Sequence, residues 1–217
     1  GAAIGSASGV FTWTPTEAQG PGVYPFTVRV NDGFADTDAA ISITVDEVNV
    51  APVLTAIGNQ TVNEGVALTF TASATDADAP PQTLAFSLDA GAPATASINP
   101  TTGAFSWTPG EADGPGNHSI TVRVTDNGTP ALDDFELISV HVDEANIAPT
   151  LSGVPSAVTI PELVAYTFTA TATDPDLPVN TLTFSLVGAP AGASIGSGSG
   201  AFTWTPTEAQ GPGGYLF

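Results

Sequence analysis

The sequence predicts an all-β protein built of tandem seven-stranded Greek-key β-sandwiches joined end to end. Three observations predict it. The stretch Phe11–Gly22 returns residue for residue at Phe202–Gly213, and in altered form from Phe105 to Gly116. Apolar residues alternate with polar ones in short runs, the period-two signature of half-buried strands. Gly, Pro, Asn and Asp separate those runs, and helical spacing is absent throughout. The repeated stretch sets the period, because internal repeats decide the architecture before any other signal. Trp13, Trp107 and Trp204 lie 94 and 97 residues apart. A unit of about 95 residues is large enough to bury its own core, unlike the short repeats of solenoids.

This period gives three segments. Residues 1–49 read as the later part of one repeat, 50–147 as a complete repeat, and 148–217 as the opening part of a third. Ile4 aligns with Ile195 and Phe217 with Phe26, so the chain starts and stops within a repeat. The expectation is a window on a longer array, with unpaired edges or strand exchange wherever a repeat is left incomplete.

In chain order, Gly9–Trp13 reads as a short strand after a glycine turn. In Val23–Asn31, Tyr24, Phe26, Val28 and Val30 alternate with polar residues, and Ala39–Val45 places Ile41, Ile43 and Val45 on one face. The complete repeat reads as Val53–Ala56 with a continuation at Gln60–Val62, Ala67–Thr75, Thr83–Leu88, Thr95–Ile98, Ala104–Trp107, Ser119–Thr125 and Phe135–Val142. Seven short strands rich in Thr, Val and Phe in one such unit point to a Greek-key sandwich. Trp107 is expected between the sheets, and Pro109 ends its strand because proline cannot continue a central ladder.

Composition narrows function. The chain has no cysteine and no lysine, which excludes disulfides, thiol chemistry and Lys–Asn isopeptide cross-links. Twenty-two acids against two arginines give a net charge of −20. Such a charge repels nucleic acid and anionic membranes, and either cations neutralise it or it keeps the chain soluble. With 42% hydrophobic and 11% charged residues the chain is not disordered. No apolar run approaches the roughly 20 residues of a membrane helix.

The motifs, in order, are Asn49–Pro52 (Asn-Val-Ala-Pro), Asn63-Glu64-Gly65, Ala74–Asp78, Thr102–Pro109 (around Trp-Thr-Pro) and Val124–Asp126. They resemble the bacterial cadherin-like repeats, also called the Putative-Ig or dystroglycan-type cadherin-like repeats, of large surface and secreted proteins. The resemblance covers the whole chain. It implies seven-stranded cadherin/Ig-like sandwiches with calcium at the junctions, and a structural segment of an extracellular array, either an adhesin stalk or a surface filament.

The residues make their own case for calcium, which takes six to eight hard oxygen ligands. The acids fall at strand ends: Asp76, Asp78, Asp126, Asp143, Glu144, Asp174 and Asp176. By resemblance, the first junction would combine Glu17, Asp46 and Asn49 with Asp76, Asp78 and Asp126. The second would combine Glu64, Glu111, Asp143 and Asn146 with Asp174 and Asp176. Glu162 matches Glu64 in the third repeat, and Asp32 would serve an earlier junction. The chain departs from the family where an acidic ligand usually precedes Ala-Pro, since Val50 and Ile147 stand there. Fewer ions, weaker binding or apolar stiffening are the consequences left open. The alternative is that Asp and Asn only cap turns.

The expected partners are neighbouring repeats of the same chain or like subunits in a fibre, and a cell-surface or polysaccharide partner. Neither nucleic-acid binding nor membrane insertion is expected. A second function is a carbohydrate-binding or spacer module of a secreted polysaccharide-active enzyme, for which Tyr24 and Tyr215 are the candidate sugar-stacking rings. No catalytic role is expected. His118 and His141 have no counterparts in the other repeats, nucleophile turns are lacking, and acids that recur in every repeat are poor candidates for an active site. Arg29 and Arg123 occupy equivalent places and are expected to pair with nearby acids.

Overall fold

Strands form along the alternating runs and end at the turn residues. A computed structural model describes residues 1–216; Phe217, aligned above with Phe26, lies outside them. In the first repeat, β1 (Ala3–Ile4) pairs antiparallel with β2 (Phe11–Thr12), and β3 (Gly22–Asn31) with β4 (Asp36–Val45). The complete repeat contains β5 (Val53–Leu54), β6 (Gln60–Asn63), β7 (Leu68–Thr71), β8 (Ala74–Thr75), β9 (Ala85–Leu88), β10 (Ser97–Ile98), β11 (Ala104–Trp107), β12 (Gly116–Thr125) and β13 (Asp133–Asp143). The third repeat holds β14 (Thr150–Ser152), β15 (Tyr166–Thr169), β16 (Thr171–Thr173), β17 (Ser194–Ile195) and β18 (Ala201–Trp204). One-turn 3-10 helices at Glu17–Gln19 and Glu208–Gln210 follow the Trp-Thr-Pro motif.

The complete repeat is an Ig/cadherin-like sandwich. One sheet runs in the order β6-β13-β12-β9 and the other β10-β11-β7, with β5 and β8 forming a separate pair. The inward residues of β12 and β13 (Ile120, Val122, Val124, Ile138, Val140 and Val142) are all 0% exposed. Fully burying each such side chain contributes about 1.5–3 kcal/mol. Trp107 is buried as expected, its Nε1 donating to Thr95 Oγ1 at 3.1 Å. Phe70 and Phe105, opposite each other on β7 and β11, stack with ring centroids 4.4 Å apart. Phe168 and Phe202 repeat that pair at 4.6 Å in the third repeat.

The expected strand Ala67–Thr75 is split in two. At Ala72 the chain leaves β11: the Ala72 N–H still donates in register to the Gly103 carbonyl, but the Gly103 N–H turns away to the Asn99 carbonyl, so the rung is only half made and the ladder ends. From Ala74 it pairs with β5. Gly103 has φ +68, and a Cβ there would run into the Ala72 carbonyl oxygen. Only glycine fits this switch of partner. The third repeat repeats the device with Ala170 and Gly200.

Two further expectations meet the structure unevenly. Arg29 pairs with Asp36 at 3.0 Å and Asp38 at 2.7 Å, and Arg123 with Asp89 at 2.7 Å and with Asp133. Thr183–Leu186, which align with β9, form no strand. A strand needs a partner, and among the described residues no third-repeat strand stands where β12 stands for β9.

Contacts gather the described residues into two compact units. One comprises Gly1–Gln60, Ala67–Thr108 and His118–Val140; the other comprises Thr61–Val66, Pro109–Asn117 and the chain from His141 onward. The division passes through β6, β12 and β13, so these units are not the sequence repeats.

Candidate metal centre

Among the described residues, each compact unit holds one carboxylate cluster. In the first, carboxylate oxygens of Glu17, Glu47 and Asp78 lie within 4.8 Å of one another; in the second, those of Glu64, Glu111 and Glu144 do. Glu17 opens its 3-10 helix, fixed there by the capping box between Thr16 and Gln19, and its Oε1 accepts the Ala79 N–H at 3.2 Å. Glu111 holds the matching place and accepts the Leu177 N–H at 2.6 Å.

The second cluster contains buried charge with nothing to balance it. Glu64 is 7% exposed, and neither of its carboxylate oxygens has a hydrogen-bond partner. Both Glu144 oxygens are likewise buried and unpartnered, as is Glu47 Oε1 in the first cluster. A buried ionised carboxylate without a donor is strongly disfavoured unless a cation or a proton neutralises it. Space has been left for Glu64, since a Cβ on Gly114 would strike its carboxylate. Gly211 leaves the same room for Glu162 in the third repeat.

The remaining expected ligands divide. Asp78 is buried and accepts the Val50 N–H on both oxygens at 3.2 Å and Gln82 Nε2 at 2.7 Å. Asp176, 1% exposed, accepts the Ile147 N–H at 3.0 and 3.2 Å and Asn180 Nδ2 at 3.1 Å. Asp76 and Asp174 accept the N–H groups of Asp78 and Asp176; Asp76 Oδ2 is buried and unpartnered. Asp126 closes its own loop on Gly128 and Leu132 and receives Asn49 Nδ2 at 2.9 Å. Asn49 Oδ1 takes Gln82 Nε2.

Asp46 and Asn146 are exposed, and the Asp143 carboxylate faces His141 at 3.2 Å. None of the three belongs to a carboxylate cluster; Glu47 and Glu144, outside the expected set, do. Asp32 accepts the Phe34 and Ala35 N–H groups at 2.9 Å and closes its own hairpin.

Every ligand atom in both clusters is a carboxylate oxygen, a donor set suited to a hard divalent cation such as Ca²⁺ rather than Zn²⁺ or copper. No helix among the described residues is long and apolar enough to cross a membrane.

A family-wide sequence profile described as the Putative Ig domain matches residues 1–46, 51–140 and 148–216. The chain belongs to the Putative Ig domain family. No curated protein matches it. Among solved structures, this Putative Ig chain is similar to mouse cadherin-23 EC22–24 at 21% identity and a TM-score of 0.54, covering 91% of this chain and 68% of that one. That likeness shows a cadherin-like fold. Protocadherin gamma B2 extracellular cadherin domains 3–6 align at 18% identity and a TM-score of 0.49, over 95% of this chain and 58% of that one. A nucleoside hydrolase-related hypothetical protein from Saccharophagus degradans, associated with carbohydrate metabolism, aligns at 20% identity and a TM-score of 0.37, over 43% of this chain and 26% of that one. The Putative Ig chain thus spans less than two thirds of the length of these last two structures.

The rings considered for sugar stacking each pack against the tryptophan of their Putative Ig repeat, Tyr24 half-buried and Tyr215 still 41% exposed. Tyr24 meets Trp13 edge-on at 5.0 Å and Tyr215 meets Trp204 at 5.3 Å. Their hydroxyls donate to the carbonyls of Gln19 and Gln210.

Protonation reports on the same clusters. Burial, then repulsion from Glu17 and Asp78, raises Glu47 above the ordinary 4.5. Burial, then Glu64, Glu111 and Asp176, raises Glu144. A group raised in the folded state stabilises below its unfolded pKa, and that contribution is lost as pH rises through the folded value. Asp89 runs the other way, held below 3.8 by Arg123. So does Asp126: burial alone would raise it, but the donors Leu132, Asn49 and Gly128 outweigh that. Their contribution is present above 3.8 and lost only in stronger acid. Without divalent cation, the chain is therefore expected to melt higher near pH ~5 than near pH ~7.5, and saturating calcium should erase the difference. Calorimetric scans at both pH values, with calcium and with chelator, check this. A calcium-free midpoint that drops on going to the lower pH would contradict it.

Proposed function

We propose that this chain is a structural segment of a long extracellular repeat protein, an adhesin stalk or surface filament, with calcium-stiffened junctions between its repeats. The observation that carries the reading is the buried, unpartnered carboxylate pair Glu64 and Glu144 at a repeat boundary. Folding these side chains together without a cation opposes the fold; a cation there would gather three carboxylates of repeat 50–147, and Glu111, which also accepts the Leu177 N–H, would tie that cluster to the next repeat. The repeats would run 1–49, 50–147 and 148–217. Glu64, Glu111 and Glu144 would hold the ion at the second junction, and Glu17, Glu47 and Asp78 at the first. Neighbouring repeats or like subunits are the partners this requires, and the work is mechanical rather than catalytic.

Thermal unfolding in calcium and in chelator tests the reading. A ligand at a hundredfold excess over its Kd stabilises the folded state by about 2.7 kcal/mol. For a domain of this size that is about 10 °C or more in midpoint. Identical midpoints in the two buffers would remove calcium from the account.

A further inference from the structure

The two kinds of acid at a junction are treated differently by the rest of the fold. Two glutamates are left bare: at the second junction all four oxygens of Glu64 and Glu144 are buried without a donor, and Glu111 beside them accepts the Leu177 N–H. The neighbouring aspartate is saturated instead. Asp176 takes the Ile147 N–H on both oxygens, and Asn180 Nδ2 as well. At the first junction Val50 N–H and Gln82 Nε2 donate to Asp78 in the same way, but Asp78 also stands in the cluster with Glu17 and Glu47. There Asn49 Nδ2 also donates to Asp126 and to the Pro130 carbonyl, so neutral amides lie among the buried aspartates.

We infer that each junction takes a single divalent cation, held by its carboxylate cluster, and that at the second junction a clasp of backbone N–H and side-chain amide on Asp176, which stands outside the cluster, does the work of a further ion. The inference rests on the calcium reading above. Its physical basis is that a hydrogen-bond donor and a cation compete for the same carboxylate lone pairs. Val50 and Ile147 serve through their backbone N–H, which is why an apolar side chain is acceptable there. Among the described residues, the bare junction oxygens outside the glutamates are Asp76 Oδ2 and Gln82 Oε1, two ligands where calcium needs six to eight.

The clasp differs from the cation in one testable respect: it is present without calcium. In the chelator-stripped chain, calcium binding counted by equilibrium dialysis at saturation is expected to give one ion for each of the two clusters. Three or more ions per chain would overturn the inference and leave the calcium reading standing. No bound ion would overturn the calcium reading instead. Asp176→Asn should keep the full count and lower the calcium-free melting midpoint, because the amide offers one uncharged acceptor oxygen where the Ile147 N–H and Asn180 Nδ2 now share two charged ones. Glu144→Gln should lose one ion. If Asp176→Asn loses an ion as Glu144→Gln does, Asp176 is a cation ligand and the clasp is wrong. Should Asp176→Asn fail to fold, Asn180→Ala removes only the amide donor. Its expected result is the same unchanged count with a lower calcium-free midpoint, and loss of an ion there would count equally against the inference.

Discussion

In calcium-free buffer the double variant Glu64→Gln/Glu144→Gln is expected to melt a few degrees above the unsubstituted chain, and in saturating calcium about 10 °C below it. The reversal follows from what the two side chains lack. Glu64 and Glu144 are buried beside each other and beside Glu111, with no donor on any of their own oxygens. Without a cation, that is repulsion between desolvated charges. Glutamine has the same shape, carries no charge and brings an N–H₂ donor that Glu111 can accept, so the calcium-free fold gains. With calcium present, the variant has lost two charged ligands and with them the stabilisation that binding supplies. Scanning calorimetry in both buffers reads the order directly. A variant less stable than the parent in both would mean the glutamates serve the fold by themselves. A variant more stable in both would mean no cation binds there.

Much of this was legible in the sequence, and what was not has a physical cause. The sandwich, its strands and the buried Trp107 followed from period-two alternation and from the repeated Trp-Thr-Pro motif. Glu17, Glu64, Glu111 and Asp78 were expected at the junctions and stand in the clusters. Asp46 and Asp143 were expected, yet their neighbours Glu47 and Glu144 are the cluster members. The signal that separates them is strand parity. Val140 and Val142 point inward at 0% exposure, so the next residue on that face is Glu144, not Asp143. Ile43 and Val45 point to Glu47 in the same way. The split at Ala72 left no such trace, because Leu68, Phe70, Ala72 and Ala74 keep one parity through it. What ends the pairing is the turn at Gly103, distant in sequence, whose N–H goes to the Asn99 carbonyl instead of back across the ladder. The donors on Asp78 and Asp176 were also invisible, since a backbone N–H has no letter of its own.

Replacing the central tryptophan tests the fold at its most buried point. Trp107→Ala is expected to cost about 3–5 kcal/mol, the usual range for removing a buried aromatic side chain. The total stability of a domain is only about 5–15 kcal/mol. Trp107 is 1% exposed, lies edge-on to the His118 ring with centroids 5.0 Å apart, and gives its N–H to Thr95. Alanine would leave a cavity between the sheets and an unpaired hydroxyl. Trp107→Phe keeps most of the volume and loses the N–H donor, so a cost of about 1–2 kcal/mol is expected. The same motif supplies its own control. Trp13 sits in the identical Phe-Thr-Trp-Thr-Pro stretch as Trp204 but is only half-buried. Trp13→Ala should therefore cost clearly less than Trp107→Ala. Urea unfolding of the three variants ranks them. Equal losses at positions 13 and 107 would show that the motif acts through local turn structure, because packing alone predicts that the cost follows burial.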